Sequence, residues 1–218
     1  KQITSSEDAD YIHWFESYKK SFVLYMTPLN VASIFQERIA QYRSAWIFTS
    51  ATLAVGNSFD HYTGHLGLQD TEARQWQSPF DFEKQALLYI PKNLPDPNDS
   101  GYIDSVIDAA VPVIEACGGR TFFLFTSYRA LNRAAAVLKE EIDYPLLVQG
   151  SMPRAELLER FRKLGNAVLL GTSSFWEGVD VRGEALSCVI IDKLPFAPPD
   201  DPVLQARIDI MRRQGGNP

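Results

Sequence analysis

The run from Gly171 to Gly183, GTSSFWEGVDVRG, puts three glycines, three hydroxyl side chains, two acids and a tryptophan into thirteen positions directly after the apolar stretch AVLLG. Core packing does not require such a mixture. Gly171, Gly178 and Gly183 permit turns or a close backbone approach that a side chain would block. Thr172, Ser173 and Ser174 offer hydroxyls and backbone N–H groups suited to phosphate oxygens. Glu177 and Asp180 are acceptors able to bind a ribose hydroxyl or hold an arginine, and acids in a glycine-rich loop after a buried strand have little packing purpose. Trp176 either stacks on a base or braces the loop. Two other segments have a related form. FTSATL, Phe48 to Leu53, runs into small hydroxylated residues, and Ser50 and Thr52 could equally be capping a strand end. LFTSYRAL, Leu124 to Leu131, delivers Thr126, Ser127 and Tyr128 to the start of a helix, where Ser127 and Tyr128 either cap the helix or contact phosphate, which a helix N-terminus attracts.

Other candidates are weaker. Lys193 in DKLPFAPPDDP, Asp192 to Pro202, follows an apolar run and is in reach of a phosphate or a cleft, although the segment also reads as a rigid proline loop. Arg129/Arg133 and Arg154/Arg160/Arg162/Lys163 are able to touch phosphates, or simply to solvate helix faces. His61 and His65 are four apart, but Gly64 between them weakens a helix and no third ligand is near, so no metal site is expected. Cys117 and Cys188 are about seventy positions apart. They suggest neither a disulfide framework nor a CxxC metal site, and read as buried packing residues in different apolar settings.

The elements that must position these residues follow from periodicity. YIHWFES (Tyr11 to Ser17) and FVLYMT (Phe22 to Thr27) read as two strands joined by a turn and closed by Pro28, with Trp14, Phe15, Phe22 and Tyr25 as core aromatics of a small sheet. Apolar residues at 31, 34, 35 and 39 predict a helix ending near Ala40. WIFTS (Trp46 to Ser50) and QALLYIP (Gln85 to Pro91) read as strands, and NLPDPNDSG as a surface linker. Beyond it, helices over Tyr102–Cys117, Tyr128–Glu141, Pro153–Leu164 and Pro202–Arg213 alternate with strands TFFLF, PLLVQ, AVLLG and LSCVII. Short apolar strands between amphipathic helices mark a parallel sheet covered on both faces, so the fold class is α/β. In such sheets ligands sit beyond the carboxyl ends of the strands, which directs attention to the loops after TFFLF and AVLLG.

The chain has 218 residues, 45% of them hydrophobic and 22% charged, an ordinary composition for one or two globular domains. KQITSSEDAD has neither the basic start nor the apolar run of a signal peptide, and no stretch is long enough to span a bilayer, so a cytoplasmic location without membrane contact is expected. A net charge of −6 argues against a wholly basic nucleic-acid trap while leaving room for a local groove.

Taken in order, FTSATL, LFTSYRAL and GTSSFWEGVDVRG followed by VIIDKLPFAPPDDP resemble motifs III, IV and V of superfamily-two helicases, and most closely the DinG/YoaA branch related to XPD. LLVQG resembles the strand that precedes a DNA contact in that family. The resemblance covers most of the chain from about Trp14, and the run from Leu169 to Pro202 is its most specific part. It implies a RecA-like parallel sheet, with residues 1–53 as the end of the first motor domain and 54–218 as the second. It implies an ATP- and Mg²⁺-dependent motor that translocates 5′ to 3′ on single-stranded DNA and separates forked or duplex DNA in replication or repair. Carried over, Ser50, Ala51 and Thr52 couple nucleotide state to domain closure. Ser127, Tyr128, Thr172, Ser173 and Trp176 lie on the DNA. Glu177, Gly178 and Asp180 face the ATP cleft, the two acids as its catalytic carboxylates.

Some family parts are not in this sequence. There is no Gly-Lys pair and so no P-loop. No DEAH-like acidic motif occurs, since EDAD (Glu7 to Asp10) has the wrong pattern. The four cysteines of the family's iron–sulfur cluster are missing, so the cluster that the resemblance implies for the parent protein is expected outside this stretch, which requires no cofactor of its own, and the chain stops before the family's Q-x-x-G-R-x-x-R motif. The expectation is a piece of a longer helicase: one wall of an ATP site that acts with the missing first RecA-like domain, alongside replication or repair proteins, and is inactive alone. Two alternatives remain. One is an ATP-independent module binding single-stranded DNA or a repair protein; the other is a related helicase fused to an exonuclease.

Overall fold

The computed structural model describes residues 2–3, 11–196, 200–213 and 215–216. Glu7 to Asp10 and residues 197–199 of the proline-rich segment lie outside the described residues. The chain divides into two compact units, residues 1–86 with 197–218, and residues 87–196.

The first unit contains a three-stranded antiparallel sheet in the order β1 (Gln2–Ile3), β2 (Tyr11–Ser17), β3 (Phe22–Pro28). The polar tip of the β2–β3 hairpin closes with the Tyr18 N–H donating to the Ser21 carbonyl at 2.7 Å. The register opposes Trp14 to Tyr25, and their rings stack with centroids 4.1 Å apart. Trp14 Nε1 donates to Thr27 Oγ1 at 3.0 Å. Phe22 is not a core aromatic: it is 66% exposed at the end of β3, where Leu24 and Met26 are exposed as well. The buried position of β2 is Ile12. Helices α1 (Ala32–Ala40), α2 (Asp60–Leu66) and the single turn α3 (Phe82–Gln85) follow.

WIFTS and QALLYIP are not strands. Ile47, Leu87, Leu88 and Ile90 are exposed, and among the described residues no strand pairs with either segment. Their β-branched and aromatic composition favours extended backbone, but a strand is defined by a neighbour that accepts its ladder hydrogen bonds. Trp46 and Phe48 instead line an aromatic hollow of about 710 Å³ with Phe59, Tyr62, Leu68 and Trp76.

The second unit is built on a parallel sheet. It runs α4 (Tyr102–Ala116), β4 (Thr121–Leu124), α5 (Tyr128–Glu141), β5 (Leu146–Val148), α6 (Arg154–Leu164), β6 (Val168–Gly171) and β7 (Cys188–Ile191). The strand order is β5-β6-β4-β7, all parallel. Strands β4 and β6 are buried on both faces, while on the edge strand β7 Val189 and Ile191 are 52% and 43% exposed. Because strand side chains alternate between faces, the unbroken apolar runs feed two cores. Phe123, Phe125, Val168 and Leu170 pack with α4 and α5, the latter through Leu131, Ala134 and Leu138. Phe122, Leu124 and Leu169 pack with Leu157, Leu158 and Phe161 of α6. Burying a side chain of this size contributes about 1.5–3 kcal/mol, so these two layers fix where the strand ends fall. A last helix, α7 (Pro202–Arg213), belongs to the first unit and packs on β2, with Ala206 buried. Among the described residues no helix is long and apolar enough to cross a membrane.

Candidate functional site

The C-terminal ends of β4, β5 and β6 deliver three loops to one edge of the second unit. Beyond β4 the pairing continues for one step, the Phe125 N–H donating to the Gly171 carbonyl at 2.8 Å. The chain then turns through Thr126 into α5. Ser127 is the N-cap, its Oγ accepting from the Ala130 N–H at 3.2 Å. Tyr128, the first residue of the helix, is 56% exposed.

Beyond β6, Ser173–Phe175 forms a single 3₁₀ turn. Phe175 folds back under the loop and is buried against the α6 core. That path needs a glycine at 171, because a Cβ there would lie 2.8 Å from the Phe175 side chain. Trp176 is half-buried and packs on the same core, so bracing the loop is a role it performs in this structure. Gly178 has a φ of 65°, in the left-handed region. Glu177 and Asp180 are exposed on the rim.

Arginines of α6 hold this rim from behind. Arg154 Nη2 donates to the carbonyls of Glu177 and Gly178 at 3.1 and 3.0 Å, and its guanidinium lies 5.6 Å from the centre of the Phe175 ring. Arg162 Nη2 donates to the Asp180 carbonyl at 2.5 Å. The Asp180 carboxylate pairs with Arg182 at 3.0 Å. Arg133 makes a two-pronged pair with Asp104 and holds its carboxyl below the usual carboxylate range. Three arginines that the sequence offers as phosphate ligands are therefore engaged within the protein. Lys193 is engaged too, its Nζ donating to the Pro97 carbonyl at 3.1 Å over the Tyr102 ring. Arg129 and Lys193 line a cavity of about 580 Å³ with Asp99, Tyr102, Ser127 and Arg133 at the start of α5.

Two residues tie the loops together and were not singled out from sequence. Gln149, at the end of β5, accepts at Oε1 from the Thr172 N–H (2.6 Å) and Thr172 Oγ1 (3.1 Å). Its Nε2 donates to Tyr128 OH at 2.7 Å and Ser174 Oγ at 3.1 Å. The three loop residues lie 21 to 25 positions from it in sequence. Asp192, after β7, is buried, and its Oδ1 accepts from the N–H groups of Thr126 (3.0 Å) and Lys193 (2.7 Å). Its carbonyl accepts from Tyr102 OH at 2.6 Å. Burial raises the Asp192 carboxyl above its ordinary value, against the lowering effect of those two N–H donors.

Of the positions singled out from sequence, Ser127, Tyr128, Thr172, Ser173, Trp176, Glu177, Gly178 and Asp180 all belong to the second unit. Thr172 is 5% exposed and gives its hydroxyl to Gln149, whereas Ser173 is exposed. Ser50, Ala51 and Thr52 belong to the first unit and form a local turn, the Thr52 N–H donating to Ser50 Oγ at 3.2 Å. The cysteines are not in different settings. Parallel pairing sets Cys188 opposite Thr121, just beyond the end of α4, so the Cys117 thiol is its neighbour and both are half-exposed. His61 and His65 lie on α2, and among the described residues no group of three or more His, Cys, Asp or Glu side chains is placed to hold a metal.

Residues 110–218 match the sequence model of the helicase C-terminal domain. The chain belongs to that family. It is 44% identical over its whole length to the ATP-dependent DNA helicase YoaA of Escherichia coli (strain K12), covering 34% of that protein. It is 39% identical to the ATP-dependent helicase DinG of Mycobacterium tuberculosis (strain H37Rv), over 89% of this chain and 30% of the relative. The 3′-5′ exonuclease DinG of Bacillus subtilis (strain 168) is 32% identical, over all of this chain and 25% of the relative. The chain thus spans about a third or less of the length of these curated relatives. The DinG/YoaA resemblance read from the motifs and the RecA-like character of the sheet are both supported by this membership. In this helicase C-terminal domain the most motif-rich loop is the one Gln149 and the α6 arginines hold in place.

Proposed function

We propose that this chain is part of an ATP-dependent DNA helicase that translocates 5′ to 3′ on single-stranded DNA and opens forked or duplex DNA. The observation that carries the reading is the convergence of the Thr126–Tyr128 and Thr172–Asp180 loops at the carboxyl edge of a parallel sheet, where ligands of such sheets bind. In this reading residues 1–53 end the first motor domain and 54–218 belong to the second. Tyr128, Ser173 and Ser127 line the DNA track with Thr172 and Trp176 behind them, and Ser50 to Thr52 couple nucleotide state to domain closure.

The residues present fit one wall of a nucleotide site. Glu177 and Asp180 expose carboxylates on a glycine turn whose carbonyls are fixed from behind by Arg154 and Arg162. ATP with Mg²⁺, when bound, supplies the phosphoryl transfer that drives the cycle. In this reading the phosphate cradle and the metal ligands belong to the part of the first RecA-like domain outside residues 1–53, with which this chain acts. A four-cysteine iron–sulfur site does not fit this chain, which has two cysteines.

The test uses the full-length protein carrying this chain. DNA-stimulated ATP hydrolysis and displacement of a strand from a 5′-tailed but not a 3′-tailed duplex are expected, with Asp180→Ala lowering turnover at unchanged Tm. DNA binding without stimulated hydrolysis would favour an ATP-independent single-strand or repair-protein module. Degradation from a 3′ end would favour the activity named for the Bacillus relative.

A further inference from the structure

Gln149 has four side-chain hydrogen-bonding positions, two lone pairs on Oε1 and two hydrogens on Nε2. All four are used: Oε1 takes the Thr172 N–H and hydroxyl, and Nε2 reaches Tyr128 OH and Ser174 Oγ. Its backbone N–H is also occupied, donating to the Leu170 carbonyl at 3.0 Å.

This network has a fixed polarity. The Thr172 N–H can only donate, so Oε1 must face it and the amide cannot be flipped. Nε2 can only donate, so Tyr128 OH and Ser174 Oγ must accept from it. An accepting hydroxyl keeps its own hydrogen, and that hydrogen must point away from Gln149. Tyr128 is 56% exposed and Ser174 is exposed, which leaves both hydrogens able to turn to the surface of the site. Thr172 has the opposite polarity: its hydroxyl donates inward and is spent.

We propose that Gln149 is a positioning residue that presents the hydroxyls of Tyr128 and Ser174 as a matched pair of outward donors for one anionic phosphate of the DNA backbone. The proposal rests on the DNA reading given above. It makes Ser174, rather than Thr172, the donor of the β6 loop. The bridge spans the loops after β4 and β6, so a shift of either one relative to β5 breaks the pair. Gln149 itself touches no DNA and acts through the two hydroxyls.

The test measures single-stranded DNA affinity in the full-length protein by fluorescence anisotropy at fixed salt, with Tm alongside. Gln149→Leu is expected to weaken binding about tenfold, the scale of one or two net hydrogen bonds. The double variant Tyr128→Phe/Ser174→Ala should weaken it by a similar factor. The triple variant should be no more than about twofold weaker than either, because the residues act as one unit. Wild-type affinity for Gln149→Leu, or a triple loss equal to the product of the two separate losses, would overturn the proposal.

Should Gln149→Leu fall in Tm, Gln149→Glu carries the test, since it keeps the acceptor for Thr172. It turns both hydroxyls inward as donors, and its loss of affinity should shrink at least severalfold in the Tyr128→Phe/Ser174→Ala background. An equal loss in both backgrounds would be plain charge repulsion and would also overturn the proposal. If wild-type protein fails to bind single-stranded DNA, the broader reading has failed. If it binds while Gln149→Leu and the double variant bind equally well, only the Gln149 inference has.

Discussion

Arg154 is the side chain whose loss separates loop position from fold most cleanly. It sits on the first turn of α6, outside both buried cores, and reaches the Glu177–Gly178 turn through two donated hydrogen bonds and the Phe175 face. A hydrogen bond to a charged partner contributes roughly 1.5–3 kcal/mol, and an exposed cation–π contact about 0.5–1 kcal/mol. The two bonds share one nitrogen and are open to water, so a combined figure of about 2 kcal/mol is appropriate for Arg154→Ala. That corresponds to about 30-fold in the local opening equilibrium. Amide hydrogen exchange reads this directly. The N–H groups of Phe175 and Trp176, bonded to the Thr172 and Ser173 carbonyls, should exchange about 30-fold faster. Those of β4 and β6 should be unchanged. Arg154→Lys should restore less than half of the protection, because a single ammonium on a flexible stem does not reproduce a planar donor lying over Phe175. Unchanged exchange at Phe175 and Trp176 in Arg154→Ala would refute the clamp, as would equal acceleration throughout the sheet, which would make Arg154 a residue of general stability.

Gly171→Ala should destabilise the protein by about 1–3 kcal/mol through the forced displacement of Phe175, read as a lowered Tm; a Tm within a degree of wild type would contradict the close approach. Asp192 has a raised carboxyl pKa, so its contribution to stability is fully present below the ordinary carboxylate value and is lost as pH rises through the raised one. Asp192→Asn, always neutral and still able to accept from Thr126 and Lys193, should therefore gain in Tm over wild type as pH goes from about 4 to 7, and a difference flat across that range would remove burial as the controlling effect. Burial and the adjacent Cys117 push the Cys188 thiol up to about 11. Its alkylation by iodoacetamide at pH 8 should be at least about 100-fold slower than in unfolded chain; mass spectrometry after timed quenching checks this, and comparable rates would sink it.

The parallel sheet was legible because its local and tertiary demands coincide. Thr121–Leu124 and Val168–Gly171 are buried along their whole length, and the helices that separate them have the right period: α5 has the bounds its pattern predicts and α6 begins one residue later. Ser127 is an N-cap by residue type and by geometry alike. WIFTS and QALLYIP show the converse. Their residues favour extended backbone, yet strand formation depends on a neighbour that composition does not supply. Phe22 was misread as core because an alternating strand says which residues share a face, not whether anything covers that face.

The sequence by itself determined the family, through a loop whose glycines, hydroxyls and acids follow a buried strand, and it determined the α/β class through periodicity. Only the tertiary structure decided which polar groups are free. Arg133, Arg154, Arg162 and Lys193 look alike in sequence as surface cations, and each is committed to an internal acceptor. Gln149 and Asp192 look like ordinary polar residues at strand ends, and they bind the loops together across 21 to 25 and 66 positions respectively. Hydrogen bonds depend on distance and direction between atoms, and those are set when the two cores pack, not by the order of residues along the chain.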